Sequence, residues 1–211
     1  MNFNIYKNSG WGISKLGFQK LFEIIDTNKN NHFNIIEFGS GISTQFLIDC
    51  AILYKNIKIT SFDNDINYSY KQSKDYDFFN LKFRNLVECS DLSYNNMFNE
   101  KKYDKKQMKL KTSEPTTRQK NCFYDLNEND LVGQYDLVIL DGPNGNGRNL
   151  AFLHLINHVK SGTYFFVDDY NHYDFIDKLK SIYLVNEIYR NIDNSNMKWD
   201  NGGNFMILKV I

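Results

Sequence analysis

The sequence predicts an α/β protein built on a mainly parallel sheet, with helices on both faces. Three observations carry this. Short apolar runs alternate along the chain with longer runs whose apolar residues recur at helical spacing. A Gly-x-Gly turn, Gly39-Ser40-Gly41, follows the first apolar run. Acidic residues stand directly after most of the strand-like runs, where an open parallel sheet places its ligands.

Taken in order, Leu16, Phe18, Leu21, Phe22, Ile24 and Ile25 fall on one helical face, and polar Asn28 to Asn31 closes that helix. Phe33 to Phe38 reads as a buried strand stopped by the glycine turn. Ser43 and Thr44 can cap a second helix carrying Phe46, Leu47, Ile48 and Ala51. A second strand, Ile57 to Phe62, ends in Asp63-Asn64-Asp65. A third, Leu81 to Val87, ends near Ser90-Asp91, and a fourth, Tyr135 to Leu140, ends in Asp141-Gly142-Pro143. The fifth, Thr163 to Val167, ends in Asp168-Asp169, and the late runs Ile182 to Ile188 and Phe205 to Val210 suit closing strands. Between the third and fourth strands, residues 95–121 form a polar insertion. Residues 99–120 hold eight Lys or Arg against three Asp or Glu. This segment reads either as a surface insertion or as a lid or docking patch for an anionic partner.

Composition narrows the class. The 211 residues make one domain, 1–211, large enough to bury about 70% of the unfolded surface without a disulfide or metal staple. Lys plus Arg and Asp plus Glu are 25 each, which argues against a protein that coats nucleic acid or an anionic membrane. Cys50, Cys89 and Cys122 are too few and too scattered for a disulfide framework and suit a reducing compartment. The first residues lack the apolar core of a signal peptide, and no apolar run reaches the roughly 20 residues of a membrane span. A soluble cytoplasmic protein is expected. Asn occurs 29 times and Lys 21 times against 4 Arg, which fits an A+T-rich genome such as that of a low-GC microbe, a protist or a large DNA virus, so a single surface Asn or Lys says little.

The acids gathered at strand ends, Asp63, Asp65, Asp91, Asp141, Asp168 and Asp169, repel one another unless a cation or ligand donors balance them. That makes the edge a site. Glycines after the first strand let the backbone approach a ligand, and the following helix offers free N–H groups. A dinucleotide site is disfavoured because its third glycine falls where Thr44 stands. An acid at Asp63 suits the two hydroxyls of a ribose.

Glu37 to Thr44, Ser61-Phe62-Asp63 and Tyr135 to Pro143 together resemble the class I S-adenosylmethionine-dependent methyltransferases. The pairing of Gly-Ser-Gly-x-Ser-Thr with Asp-Gly-Pro-x-Gly-x-Gly-Arg is similar to glycan O-methyltransferases, including the glucuronoxylan 4-O-methyltransferase type and bacterial surface-polysaccharide enzymes. The resemblance runs from about residue 11 to the C-terminus, apart from the insertion. It implies a Rossmann-like methyltransferase fold with a mainly parallel seven-stranded sheet and an antiparallel closing strand. It also implies S-adenosylmethionine as cofactor and S-adenosylhomocysteine as product. Glu37, Gly39, Ser40, Gly41, Ser43 and Thr44 would hold the methionyl part, Asp63 the ribose, Asn64 or Asp65 the adenine side, and Ser90 or Asp91 the adenine flank.

A sugar hydroxyl needs a base, a metal or both to become nucleophilic. Asp141, Asp168 and Asp169 could form an oxygen-rich site for magnesium or manganese, with Asp141 and Asp169 at the reacting edge. His172 is a candidate base or an exposed loop histidine. His154 and His158, spaced i, i+4, fit helix packing better than a metal pair. Arg148 could bind an acidic sugar or nucleotide diphosphate through its planar fork, or simply hold its loop. Trp11 and Tyr170 could stack on sugar rings. The acceptor expected is a sugar, nucleotide sugar or glycan, and a homo-oligomer is compatible with this reading. RNA or another small molecule is the alternative acceptor, and a non-catalytic scaffold the alternative class.

Overall fold

The apolar runs become strands because both faces of each are buried by other elements, which only an interior sheet provides. The computed structural model describes residues 1–7, 12–71, 74–111, 120–192 and 203–211. After a short 3-10 turn at Phe3–Tyr6 the chain forms α1 (Lys15–Thr27), β1 (Phe33–Phe38), α2 (Ile42–Tyr54), β2 (Ile57–Asp63) and β3 (Phe79–Phe83). It continues through β4 (Leu86–Glu88), α3 (Asp91–Glu100), β5 (Lys109–Leu110), β6 (Cys122–Tyr124) and β7 (Tyr135–Leu140). It finishes with α4 (Leu150–His154), β8 (Val159–Asp168), α5 (Phe175–Ile182), β9 (Val185–Arg190) and β10 (Phe205–Val210).

Seven strands make the main sheet in the order β3-β2-β1-β7-β8-β10-β9. β3, β2, β1, β7 and β8 are parallel, with Ile36 beside Thr60 on one side and Val138 on the other. β10 runs antiparallel between β8 and β9. This is the mainly parallel seven-stranded sheet with an antiparallel closing strand that the sequence resemblance implies. One face carries Ile35, Ile59, Leu137 and Ile139 against α1 and α2, with Phe18 and Phe46 in contact at 5.0 Å between ring centroids. The other carries Phe38, Phe62, Val138 and Leu140 against α3, α4, α5 and β6. α1 begins where the Ser14 hydroxyl accepts the Gly17 N–H at 3.2 Å. α2 ends at Lys55, whose φ of 60° is left-handed.

Three expectations are corrected. Leu81 to Val87 is not one strand. β3 stops at Phe83, and Asp130 grips the Arg84 side chain by two hydrogen bonds, while β4 leaves the sheet to pair with β5 and β6. The alternation of Leu81, Phe83 and Val87 conceals this break, because a strand continuing in another sheet has the same period. Residues 95–100 do not belong to a polar insertion. They complete α3, whose Tyr94, Met97 and Phe98 are buried in the core. Ile182 closes α5 rather than opening a strand, since Phe175 and Leu179 lie one helical turn apart and are both buried. Residues 112–119 of the basic segment lie outside the described residues. Among the described residues no helix is long and apolar enough to cross a membrane.

Candidate active site

The parallel register brings the C-terminal ends of β1, β2, β7 and β8 to one edge, and with them Glu37, Asp63, Asp141 and Asp168. Backbone contact sets its floor. Gly39 adopts a φ of +95°, and a Cβ there would lie 2.6 Å from the Gly142 nitrogen. Gly142 and Asp141 both donate their N–H groups to the Phe38 carbonyl, at 2.6 and 2.9 Å. The two turns therefore touch through glycines, and a side chain at either would part them. At Gly41 the opposite holds: a Cβ would meet nothing within 4 Å. An open cradle lies above the first turn of α2.

Glu37 is fully buried under that cradle. Its Oε2 accepts the Thr44 and Ser61 hydroxyls, each at 2.6 Å, and Thr44 Oγ1 in turn accepts the Gly41 N–H at 3.0 Å. Oε1 is buried with no hydrogen-bond partner, although the Ser43 hydroxyl lies near enough to temper the charge. Burial pushes the carboxyl up to about 7, against the lowering effect of Ser43, Ser61 and Thr44. An unpartnered carboxylate oxygen in such a place is a receptor for a cation or a donor.

Asp63 is differently engaged. Its Oδ2 accepts the Ser40 N–H at 2.9 Å, and Oδ1 accepts those of Asn64 and Asp65 at 2.7 and 2.9 Å. A carboxylate offers about four lone-pair positions, so roughly one remains for a ligand. Burial raises its pKa, and the three N–H groups hold it back. Asp63 thus ties the glycine turn to β2. Asp65 accepts the Asn67 N–H at 2.8 Å. Asn64 lines a cleft of about 380 Å³ with Phe83, Arg84, Asn85, Asp125 and Asn127. Because β3 ends early, Arg84 and Asn85 hold the position beside the second strand's end that the sequence reading gives to Ser90 and Asp91. Those two instead start α3, where Ser90 caps the Ser93 N–H at 3.1 Å and Asp91 meets Lys120 and Asn121.

At the other end of the edge, the Asp141 and Asp168 carboxyls lie close enough to act on each other's titration. Desolvation raises both; Asp141 and Asp169 add to the rise at Asp168, Asp169 and Asp63 to that at Asp141, and the Arg148 guanidinium opposes it at each. Arg148 is buried; its Nε donates to the Pro143 carbonyl at 2.8 Å and its Nη1 to the Asp168 carbonyl at 3.2 Å. Asp169 has a left-handed φ of 53°, which turns the chain so that exposed His172 sets Nδ1 3.6 Å from Asp169 Oδ2. The Tyr170 ring lies under Arg190 at 5.6 Å. Trp11 lies outside the described residues. His154 packs on Tyr103, with ring centroids 3.7 Å apart, and His158 meets the Gly133 carbonyl at 2.7 Å, away from the edge. Among the described residues no three His, Cys, Asp or Glu side chains are arranged to hold a metal ion.

Two features of this site escape sequence reading, the contact made by Gly147 and the place of Tyr124. Gly147 packs directly on β6, where a Cβ would lie 1.9 Å from the Cys122 carbonyl oxygen. Beside it Asn121 and Asn146 exchange hydrogen bonds of 2.9 and 2.7 Å. The glycine-rich stretch after β7 is thus a dock for β6. Through that dock Tyr124 enters the site, its ring 6.1 Å from Phe38 and 6.4 Å from Phe62. A Cβ on Gly142 would lie 2.9 Å from Tyr124 Oη.

No protein-family model matches the sequence, and no curated protein matches it. Solved structures do match. Precorrin-6y C5,15-methyltransferase from Geobacter metallireducens aligns with a TM-score of 0.57 over 97% of this chain and 93% of its own, at 10% identity. The fold is the methyltransferase fold. A putative SAM-dependent methyltransferase from Streptococcus mutans aligns with a TM-score of 0.50 over 91% of this chain and 48% of its own, also at 10% identity. At such identity the likeness concerns the fold alone, and the residues of the edge carry the chemistry.

Proposed function

We propose that this chain is an S-adenosylmethionine-dependent O-methyltransferase whose acceptor is a hydroxyl of a sugar, nucleotide sugar or glycan. The observation that carries the reading is the buried Glu37 oxygen without a partner, set beneath the open cradle at Gly41. When bound, S-adenosylmethionine supplies a methyl group on a sulfonium and leaves as S-adenosylhomocysteine. Glu37 Oε1 and the free N–H groups at the start of α2 would receive the ammonium and carboxylate of the methionyl part. Asp63 would accept one ribose hydroxyl with its remaining lone pair, and Asn64, Asp65, Arg84 and Asn85 would border the base. On the acceptor side, His172 would take the hydroxyl proton on Nε2, with Asp169 against Nδ1, and Asp141 would orient the hydroxyl. Tyr170 and Arg148 border that side.

The reading is tested by thermal unfolding with S-adenosylmethionine, S-adenosylhomocysteine and NAD. The two S-adenosyl ligands are expected to raise the melting temperature and NAD is not. Gly41→Ala is expected to melt within about 2 °C of the parent, since its methyl group meets no atom of the protein, yet to lose nearly all of the ligand-induced shift. A Gly41→Ala protein that binds normally would place the cofactor elsewhere.

Assistance by magnesium or manganese at Asp141, Asp168 and Asp169 is not part of this reading, because no three-ligand set forms among the described residues. Turnover in excess chelator is expected to be retained; its loss, restored by added magnesium, would show that these carboxyls hold an ion.

A further inference from the structure

We propose that Tyr124 is a ligand-binding residue whose phenol donates a hydrogen bond to a ribose hydroxyl oxygen held at Asp63. The inference rests on the cofactor reading above. It starts from the chain's departure from a simple alternating fold: β4, β5 and β6 form a separate three-stranded sheet. The dock at Gly147 and the Asn121–Asn146 pair fix β6 against the turn after β7. The Tyr124 ring is clamped between neighbours, nearly parallel to Phe38 at 19° and tilted 35° from Phe62. These are the residues immediately before Gly39 and Asp63. The ring is only 1% exposed, and its Oη makes no hydrogen bond to another described residue. The phenol ends at the turn that floors the edge, where a Cβ on Gly142 would lie 2.9 Å from Oη.

Its surroundings specify the chemistry. The charged groups nearest the phenol are those of Asp63, Arg148, Asp141 and Glu37, at the strand ends that Phe38 and Phe62 lead into. As a carboxylate Asp63 only accepts hydrogen bonds, and two of Arg148's donors are engaged with backbone carbonyls. A ligand seated there must offer a group that donates to Asp63 and accepts from Tyr124 at once. A hydroxyl does both. An ammonium, which only donates, or a thioether, which has no donor, does not. A sugar hydroxyl between Asp63 and Tyr124 would satisfy the last acceptor position on Asp63 and the idle donor on the phenol together.

Tyr124→Phe keeps the ring and removes only the donor. With S-adenosylhomocysteine as the probe, calorimetric titration is expected to show affinity about tenfold weaker than the parent, the loss of one directed hydrogen bond. The ligand-free melting temperature is expected to stay equal or rise, because the hydroxyl has no partner to lose among the described residues. Tyr124→Leu, which breaks the ring packing, is expected to lower it. Unchanged affinity in Tyr124→Phe overturns the inference while leaving the cofactor reading intact. Weaker binding accompanied by a lower ligand-free melting temperature in Tyr124→Phe also overturns it, because the hydroxyl would then be structural. A parent that binds no S-adenosylhomocysteine overturns both.

Discussion

Gly147→Ala is expected to lower the melting temperature by at least about 6 °C, the largest stability loss for any single methyl group added at the edge. The new Cβ would sit 1.9 Å from the Cys122 carbonyl oxygen, 2.2 Å from its nitrogen and 2.4 Å from its carbonyl carbon. These are backbone atoms of a strand paired on one side with β4, so no flexible side-chain end can swing away. Overpacking of this kind costs on the order of 3 kcal/mol, and about 2–4 °C accompanies each kcal/mol in a chain of this size. Because β6 carries Tyr124, the variant is also expected to bind S-adenosylhomocysteine more weakly than its residual stability would suggest. Scanning calorimetry with and without ligand reads both quantities. A melting temperature within 2 °C of the parent would mean that β6 is not docked on this glycine.

The second large effect is on the pH dependence of stability, where two buried groups act in opposite directions. Glu37 is raised from 4.5 to about 7, so its contribution is fully present below pH 4.5 and is lost as pH rises through 7. His154 is lowered from 6.5 to about 3 by burial, then by the Lys105 charge; its contribution is present above pH 6.5 and is lost as pH falls towards 3. Its Nε2 is buried without a partner although part of the residue stays exposed, so the full linkage of roughly 5 kcal/mol is an upper bound. For Glu37 the corresponding figure is roughly 3 kcal/mol. Between pH 4.5 and 6.5 the two slopes nearly cancel. Glu37→Gln minus parent is expected to show stability gained progressively from pH 4.5 to 7. His154→Phe minus parent is expected to show stability gained as pH falls below 6.5. Urea titrations across pH 4 to 8 separate them, and parallel curves for either variant and the parent would refute its assignment.

The fold was legible because the strands of the sheet centre are buried on both faces and so read as apolar runs, as Phe33 to Phe38 and Tyr135 to Leu140 do. The glycine turn and the acids at the strand ends were legible for the same reason: polar residues placed abruptly after apolar runs stand out. What stayed hidden depends on partners far away in sequence. The break after Phe83 is made by Asp130, 46 residues beyond the Arg84 it holds. Tyr124 follows a polar segment in a strand of three residues, too short for periodicity to register. Gly147 looks like one more flexible loop glycine until Cys122 is seen against it. An aspartate at a strand end is legible as a candidate for a ligand, but the three backbone donors that Asp63 holds are not. Arg148 shows the same limit: arginine is scarce in this chain and so stands out, while its bonds to Pro143 and Asp168 depend on how two loops meet.

The place of β10 has a consequence for the order in which the molecule can be completed during synthesis. β9 has a single neighbour in the sheet, and that neighbour is β10, which is made later. When Arg190 has emerged, β9 has nothing to pair with, and β8 still presents an open flank. Residues 191–204 must be translated before Phe205 can enter the gap and join both at once. At about 5–20 residues per second this interval lasts roughly one to three seconds. For that time the nascent chain exposes two unsatisfied strand borders, a natural point of engagement for chaperones and a hazard for neighbouring chains on the same messenger.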